Sequence, residues 1–323
     1  MLRPDAGMRI SHTMLNTRFF VAGVFLVTTF IAPRMHASPG APQRGEREGA
    51  PAGARQSGAA GGRGGGGGLA AKNPDLPAGA FTASSTIART TLRHEWVDIP
   101  LAGGQRLHTW VEYPNRTDPA PVVVVMSHEA GLDDWMRAVA DQLATQGFIA
   151  VAPDILSGRG PNGGNFDSFR FAADAVRAIE TLPQDEALRR YKAALDYALK
   201  RPGANAKSAS LGVGMGGADS FRFAADVASL DAAVVFYGVS PDETVLAKVK
   251  APVAGFYGED DPRVMASVRS AEATMKRLGK TYDVHVYPGA TQAFLRSTVE
   301  GQNTEAGTAA WPAAIQFLQQ HLN

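Results

Sequence analysis

An α/β fold with a mostly parallel sheet, covered by helices on both faces, is what this sequence predicts. Three observations predict it. Short apolar runs at residues 122–126, 148–152, 232–237, 252–257 and 282–287 alternate with helix-length amphipathic stretches, the pattern of strands buried on both faces and joined by crossover helices. A glycine-dense turn, Gly212-Val213-Gly214-Met215-Gly216-Gly217, links one apolar strand to a helical pattern. The region carrying these signals, residues 81–323, is roughly 240 residues long, a normal size for one α/β domain.

The N-terminal quarter of the 323-residue chain is built differently. Arg3, Arg9 and Arg18 precede an uncharged apolar run at 19–32, which is short for a bilayer span and has the flanks of a secretory signal. Residues 1–37 therefore read as a signal peptide, with an uncleaved N-terminal anchor as the alternative, and the expected location is periplasmic or secreted. Residues 38–80 are rich in Gly, Ala and Pro, with a run of glycines at 64–68. Such a stretch buries too little to offset its ordering entropy and reads as a linker. The chain has no cysteine, which excludes disulfides, thiolate metal sites and a cysteine nucleophile. A net charge of +1 gives no global attraction to nucleic acid.

The folded part opens with extended runs at 91–100 and 105–114 joined across Gly103-Gly104, a predicted antiparallel hairpin. The strand at 122–126 ends in Ser127-His128-Glu129-Ala130-Gly131 and is followed by a helix at 132–146, with Trp135, Met136, Val139 and Leu143 on one face. The strand at 148–152 leads into a Gly- and Pro-rich loop containing Arg159, then helices at 169–179 and 183–200. After the glycine-dense turn come three more strands and helices at 241–249, 264–278 and 307–322. The octamer DSFRFAAD occurs twice, from Asp167 and from Asp219, without repeating flanks, so it is not a solenoid signal. In parallel sheets ligands sit at the carboxyl ends of the strands. Glu129, Arg159, Gly214, Asp261 and Gln292 all fall there.

Six stretches in order, PVVVVMSHEAGL, GFIAVAPDILSG, GVGMGGADSFRF, VVFYGVSPD, YGEDDPRV and VYPGATQAF, resemble the dienelactone hydrolase family over essentially all of residues 81–323. The resemblance implies an α/β-hydrolase fold and small ester or lactone substrates. It also implies a nucleophile on the elbow turn, an aspartate in the next acid loop, a histidine in the last loop and a glutamate after the first buried strand. Carried over position by position, the glutamate is Glu129 and the acid Asp261, with Asp260 its neighbour. The nucleophile falls on Gly214 and the histidine on Gln292. The backbone N–H groups of the oxyanion hole fall on Met215 and Ala130. An arginine that meets a substrate carboxylate falls on Arg296, with Arg159 a looser match.

Hydrolysis by a triad needs an attacking atom and an imidazole that takes and returns its proton. Glycine has no side chain and a glutamine amide does not titrate in water. Losing either group typically costs on the order of a million-fold in turnover, leaving roughly a thousand- to ten-thousand-fold over water. The expected protein is thus an exported, catalytically degenerate member with a pocket for a small carboxylate, ester or lactone. The alternative is a hydrolase that uses Glu129 or His128 to activate water.

Only His128 of the seven histidines adjoins the site. It reads as a hydrogen-bonding support, and Ser210 and Ser220 as satisfied hydroxyls. Gly212, Gly214 and Gly217 match a dinucleotide fingerprint in spacing, but Phe236-Tyr237-Gly238 stands where the ribose-binding acid belongs. No nucleotide, other cofactor or metal is expected. Oligomeric state is not legible in the sequence.

Overall fold

The computed structural model describes residues 76–297 and 304–323. The expected leader, and the linker as far as residue 75, lie outside them. In chain order the elements are α1 (Ala83–Ile87), β1 (Arg93–Pro100), β2 (Arg106–Tyr113), β3 (Ala120–Met126), α2 (Asp134–Thr145) and β4 (Ile149–Pro153). Next come α3 (Ala172–Glu180), α4 (Gln184–Ala198), β5 (Ala204–Val213), α5 (Met215–Asp226) and β6 (Ala232–Phe236). The chain continues through α6 (Glu243–Leu246), β7 (Val253–Gly258), α7 (Pro262–Arg277), β8 (Tyr282–Tyr287), α8 (Phe294–Ser297) and α9 (Thr304–Leu322). One eight-stranded sheet has the order β1-β2-β4-β3-β5-β6-β7-β8. The β1–β2 and β2–β4 pairs are antiparallel and every other pair is parallel. This is an α/β-hydrolase fold with the expected N-terminal hairpin.

Each apolar strand feeds two cores, because successive side chains leave opposite faces. Val123 and Val125 join Trp135, Met136 and Leu143 of α2 and Trp311 and Leu318 of α9. Val122 and Val124 join Tyr191 and Leu195 of α4, Phe221 and Phe223 of α5 and Val268 of α7. A continuous valine run is what two-sided burial demands, and Val122 through Val125 are all fully buried.

Packing begins ahead of Phe81, since Leu76 and Ala78 are already buried in the α2–α9 core, and α1 forms there without a periodic signal long enough to foretell it. The helix expected from residue 169 starts at Ala172 instead. The Asp154 carboxylate accepts the N–H of Phe166 (2.7 Å) and holds residues 166–168 in a 3-10 turn, which delays the helix. The helix expected at 241–249 shrinks to the four residues of α6, and α8 was not foreseen.

Candidate active site

The carboxyl end of β5 meets α5 at Gly214, whose φ of 58° and ψ of −116° form the sharp strand-to-helix turn the sequence predicts. Its N–H donates to Phe236 O (3.0 Å), and its C=O accepts from Gly217 N (3.0 Å) and Ala218 N (3.2 Å). The turn demands close backbone approach. A Cβ on Gly212 would stand 1.9 Å from Gly216 O, and one on Gly216 would stand 2.2 Å from Met126 O. Side chains larger than hydrogen are therefore excluded at both positions, and the glycine spacing follows from sterics rather than from phosphate binding.

Glu129 reaches into the space above this turn. A Cβ built on Gly214 would lie 2.8 Å from Glu129 Oε2 and 3.8 Å from His128 Cβ, so the carboxylate occupies the place a nucleophile's side chain would take. Glu129 is exposed and makes no ion pair among the described residues. Its negative charge lies at the N-terminus of the twelve-residue α5, where the helix dipole favours an anion.

His128 is buried beneath it and has two partners. The Ala130 N–H donates to His128 Nδ1 (3.1 Å), so Nδ1 is unprotonated and the Nε2–H donates to Asp133 Oδ2 (3.2 Å). Asp133 caps α2 by accepting from Met136 N (2.9 Å) and also accepts from Arg296 Nη2 (3.3 Å). Burial works to raise the Asp133 pKa, but the His128 hydrogen bond, the Met136 amide and Arg296 together hold it below the usual carboxylate range. The Arg296 guanidinium lies over the Trp135 ring, 5.6 Å from its centroid. His128 thus ties the Ala130 amide to the Asp133 carboxylate. The Ala130 amide, one of two expected oxyanion donors, is engaged by that histidine. The other, Met215 N–H, opens α5, where no intrahelical acceptor exists.

The remaining positions are less concentrated. Asp261 caps α7, accepting from Val264 N (3.1 Å), while Asp260 is exposed and donates its N–H to Ala290 O (3.0 Å). Gln292 is exposed in the loop after β8. Arg159 pairs with Glu186 of α4, through Nε at 3.0 Å and through Nη2, and makes no ion pair with the Gly214 cluster among the described residues. Ser210 and Ser220 are satisfied: their hydroxyls bond each other (2.8 Å) and Ser220 donates to Val234 O (2.9 Å). Among the described residues no group of three His, Asp or Glu side chains could hold a metal. An open groove of about 280 Å³ lies between the end of α2 and α9, lined by Gln146, Trp311 and Gln316 among others, and shares no lining residue with this cluster.

Two residues of the cluster were missed in the sequence. Asp133 reads there only as a residue before a helix, the position of an N-cap. Tyr237 follows β6, is 3% exposed, and feels the charges of Glu129 and Arg296. Its place at a strand's carboxyl end was the available signal.

Comparison with known proteins bears on the family and the fold. The model of the dienelactone hydrolase family matches residues 107–322. A probable 2-oxo-3-(5-oxofuran-2-ylidene)propanoate lactonase from Bradyrhizobium is 29% identical over 252 residues, covering 73% of this chain and 98% of that protein. A carboxymethylenebutenolidase from Pseudomonas putida is 29% identical over 228 residues, covering 69% and 95%. The crystal structure of a protein from Klebsiella pneumoniae described as a putative dienelactone hydrolase superposes with a TM-score of 0.62 at 22% identity, covering 72% of this chain and all of that one. On the strength of the family-model match over residues 107–322, this chain belongs to the dienelactone hydrolase family.

Proposed function

We propose that this protein is a catalytically degenerate member of its family that binds a small carboxylate, ester or lactone beside Gly214. The observation that carries the reading is the elbow itself: the sharp turn persists at φ 58° with no side chain upon it, and the last loop offers Gln292 where a histidine would be needed. Arg296 supplies positive charge and remains 37% exposed, enough to meet a ligand carboxylate while it pairs with Asp133. The lactonase and butenolidase relatives act on small unsaturated lactones by name, which supports the ligand class. The apolar run at 19–32 behind three arginines supports an exported protein; cell fractionation of the full chain tests that, and recovery in the cytoplasm refutes it. For the site, the expected result is calorimetric binding of a carboxylated butenolide with nitrophenyl-ester turnover at background. Robust turnover that vanishes on altering a residue of the cluster overturns degeneracy.

A second reading has its own observation, the 2.8 Å from Glu129 Oε2 to the site of an absent Gly214 Cβ. Here Glu129 takes a proton from water, the hydroxide oxygen attacks the ester carbonyl, and the expelled alkoxide recovers the proton as the acid forms. Met215 N–H would steady the oxyanion. This reading requires measurable turnover in the wild type and its collapse in Glu129→Gln.

A further inference from the structure

Tyr237 combines two unfavourable features beside the elbow. It follows Phe236, whose carbonyl accepts the Gly214 N–H, so its backbone abuts the turn. Its φ is 39°, a left-handed conformation that bulky L-residues rarely adopt. Its ring is held edge-on against Phe294 at 5.2 Å and Phe236 at 6.2 Å, yet the buried Oη has no hydrogen-bond partner among the described residues.

Buried tyrosine hydroxyls normally find a partner, and an orphan calls for a specific explanation. Trp135 Nε1 and Trp311 Nε1 are also orphaned, but neither has a positive φ. At Tyr237 the orphan, the strain and the charged neighbours Glu129 and Arg296 coincide. Strained backbone held by packing is a feature of ligand clamps, and the two phenylalanine contacts fix the direction of the ring.

We propose that Tyr237 is a ligand-binding donor, its O–H giving a hydrogen bond to an acceptor oxygen of a small lactone, ester or carboxylate lodged between Glu129 and Arg296. The inference rests on the small-ligand reading above and adds the side chain that orients the oxygen. Burial pushes the phenol well above its ordinary range, so the group serves as a donor at any working pH and not as a base. In the unliganded protein the hydroxyl waits unpaired; the ligand supplies the missing acceptor.

Calorimetry with a carboxylated butenolide on the full chain tests this. Tyr237→Phe is expected to weaken binding about tenfold, the usual effect of losing one hydrogen bond to a ligand oxygen, while the thermal midpoint of the free protein holds or rises because an unpaired hydroxyl is gone. Equal affinity in wild type and variant overturns the proposal and leaves the small-ligand reading standing. Failure of the wild type to bind the butenolide overturns both. Should Tyr237→Phe not fold, the wild type labelled with tyrosine 13Cζ decides: the Tyr237 resonance is expected to move on adding the butenolide, and a resonance that stays fixed while the butenolide binds refutes the role.

Discussion

Glu112, on β2, is fully buried, and its carboxyl faces α2. Trp110 Nε1 donates to its Oε2 (3.0 Å), and the carboxyl also faces the Asp141 carboxyl of α2, to which a protonated Glu112 donates. Desolvation is the main reason its pKa is pushed up from 4.5 to about 8; Asp141 raises it further, with the Trp110 hydrogen bond and Arg137 opposing. The folded protein therefore keeps a proton on Glu112 that the unfolded chain releases above pH 4.5. Stability contributed by this group is greatest in acid and falls as pH rises from 4.5 towards 8, after which it levels off. Over that interval of three and a half units, at about 1.4 kcal/mol each, the loss approaches about 5 kcal/mol, an upper bound because the hairpin can relax to admit water. Asp219, its pKa raised by burial from 3.8 to about 6, and Asp154, also raised by burial, add slopes of the same sign; both are common to wild type and Glu112→Gln, so the difference between the two curves from pH 6.5 to 8.5 reports Glu112. Denaturant unfolding across that window should show the wild type losing about 2 kcal/mol, while Glu112→Gln, which keeps an acceptor for Trp110 and a donor towards Asp141, stays nearly flat. Subtracting the two curves cancels the histidines, which are common to both. A flat wild-type curve, or equal slopes in the two proteins, refutes the assignment of a buried protonated carboxyl.

Two further perturbations follow from the same geometry. Asp133→Asn removes the charge that caps α2 and receives His128 and Arg296; it should destabilise by about 2–3 kcal/mol at pH 7. Because the Asp133 pKa is depressed, its contribution is present above the unfolded value of 3.8 and is lost as pH falls through the lower folded value. Chemical denaturation at pH 7 and at pH 2.5 should find the wild type and variant far apart in the first and close in the second. The double variant Gly214→Cys with Gln292→His is expected to gain nitrophenyl-ester turnover, because the elbow angle persists and the obstructing Glu129 Oε2 belongs to an exposed side chain that can give way. It should also lose about 1–3 kcal/mol of stability from a Cβ at φ 58°, and turnover at background would show that the loops themselves have moved out of working register.

The sheet was legible because its signals are local and redundant. Val122 through Val125 can be stable only when covered on both faces, and β8 (Tyr282–Tyr287) carries the bounds its run predicts. The octamer DSFRFAAD shows where local reading ends. Its second copy lies wholly within α5, with Phe221 and Phe223 fully buried. Its first copy spans a 3-10 turn and the start of α3, with Phe171 59% exposed. Identical residues adopt two conformations because the first follows a loop pinned by Asp154 and the second continues a helix already begun at Met215. The candidate site was legible as a set of positions, since motif order gives the ends of strands. Its wiring was not: that the Ala130 amide is bound to His128, and that Arg296 is bound to Asp133 from 163 residues away, depends on side-chain directions no spacing rule supplies.

That wiring separates positions the fold itself uses from positions that serve chemistry alone. Asp261 caps α7. Asp133 caps α2 and, with His128, anchors Arg296. Gly212 and Gly216 permit backbone contact. Each has a structural reason to stand as it does whether or not a bond is ever broken. A nucleophile and a proton-carrying histidine have no such second role, and on the degenerate reading proposed above those are the two groups replaced, at Gly214 and Gln292. Glu129 fits neither group. It caps nothing, pairs with nothing among the described residues, and is exposed, yet it is the side chain nearest the vacant nucleophile position. A carboxylate at the apex of the site, held by no partner beyond the α5 dipole, is the residue on which the degenerate and hydrolytic readings diverge. In the first it shapes a pocket that Tyr237 and Arg296 complete, so Glu129→Gln alters affinity alone. In the second it holds the proton that moves, so the same change abolishes turnover.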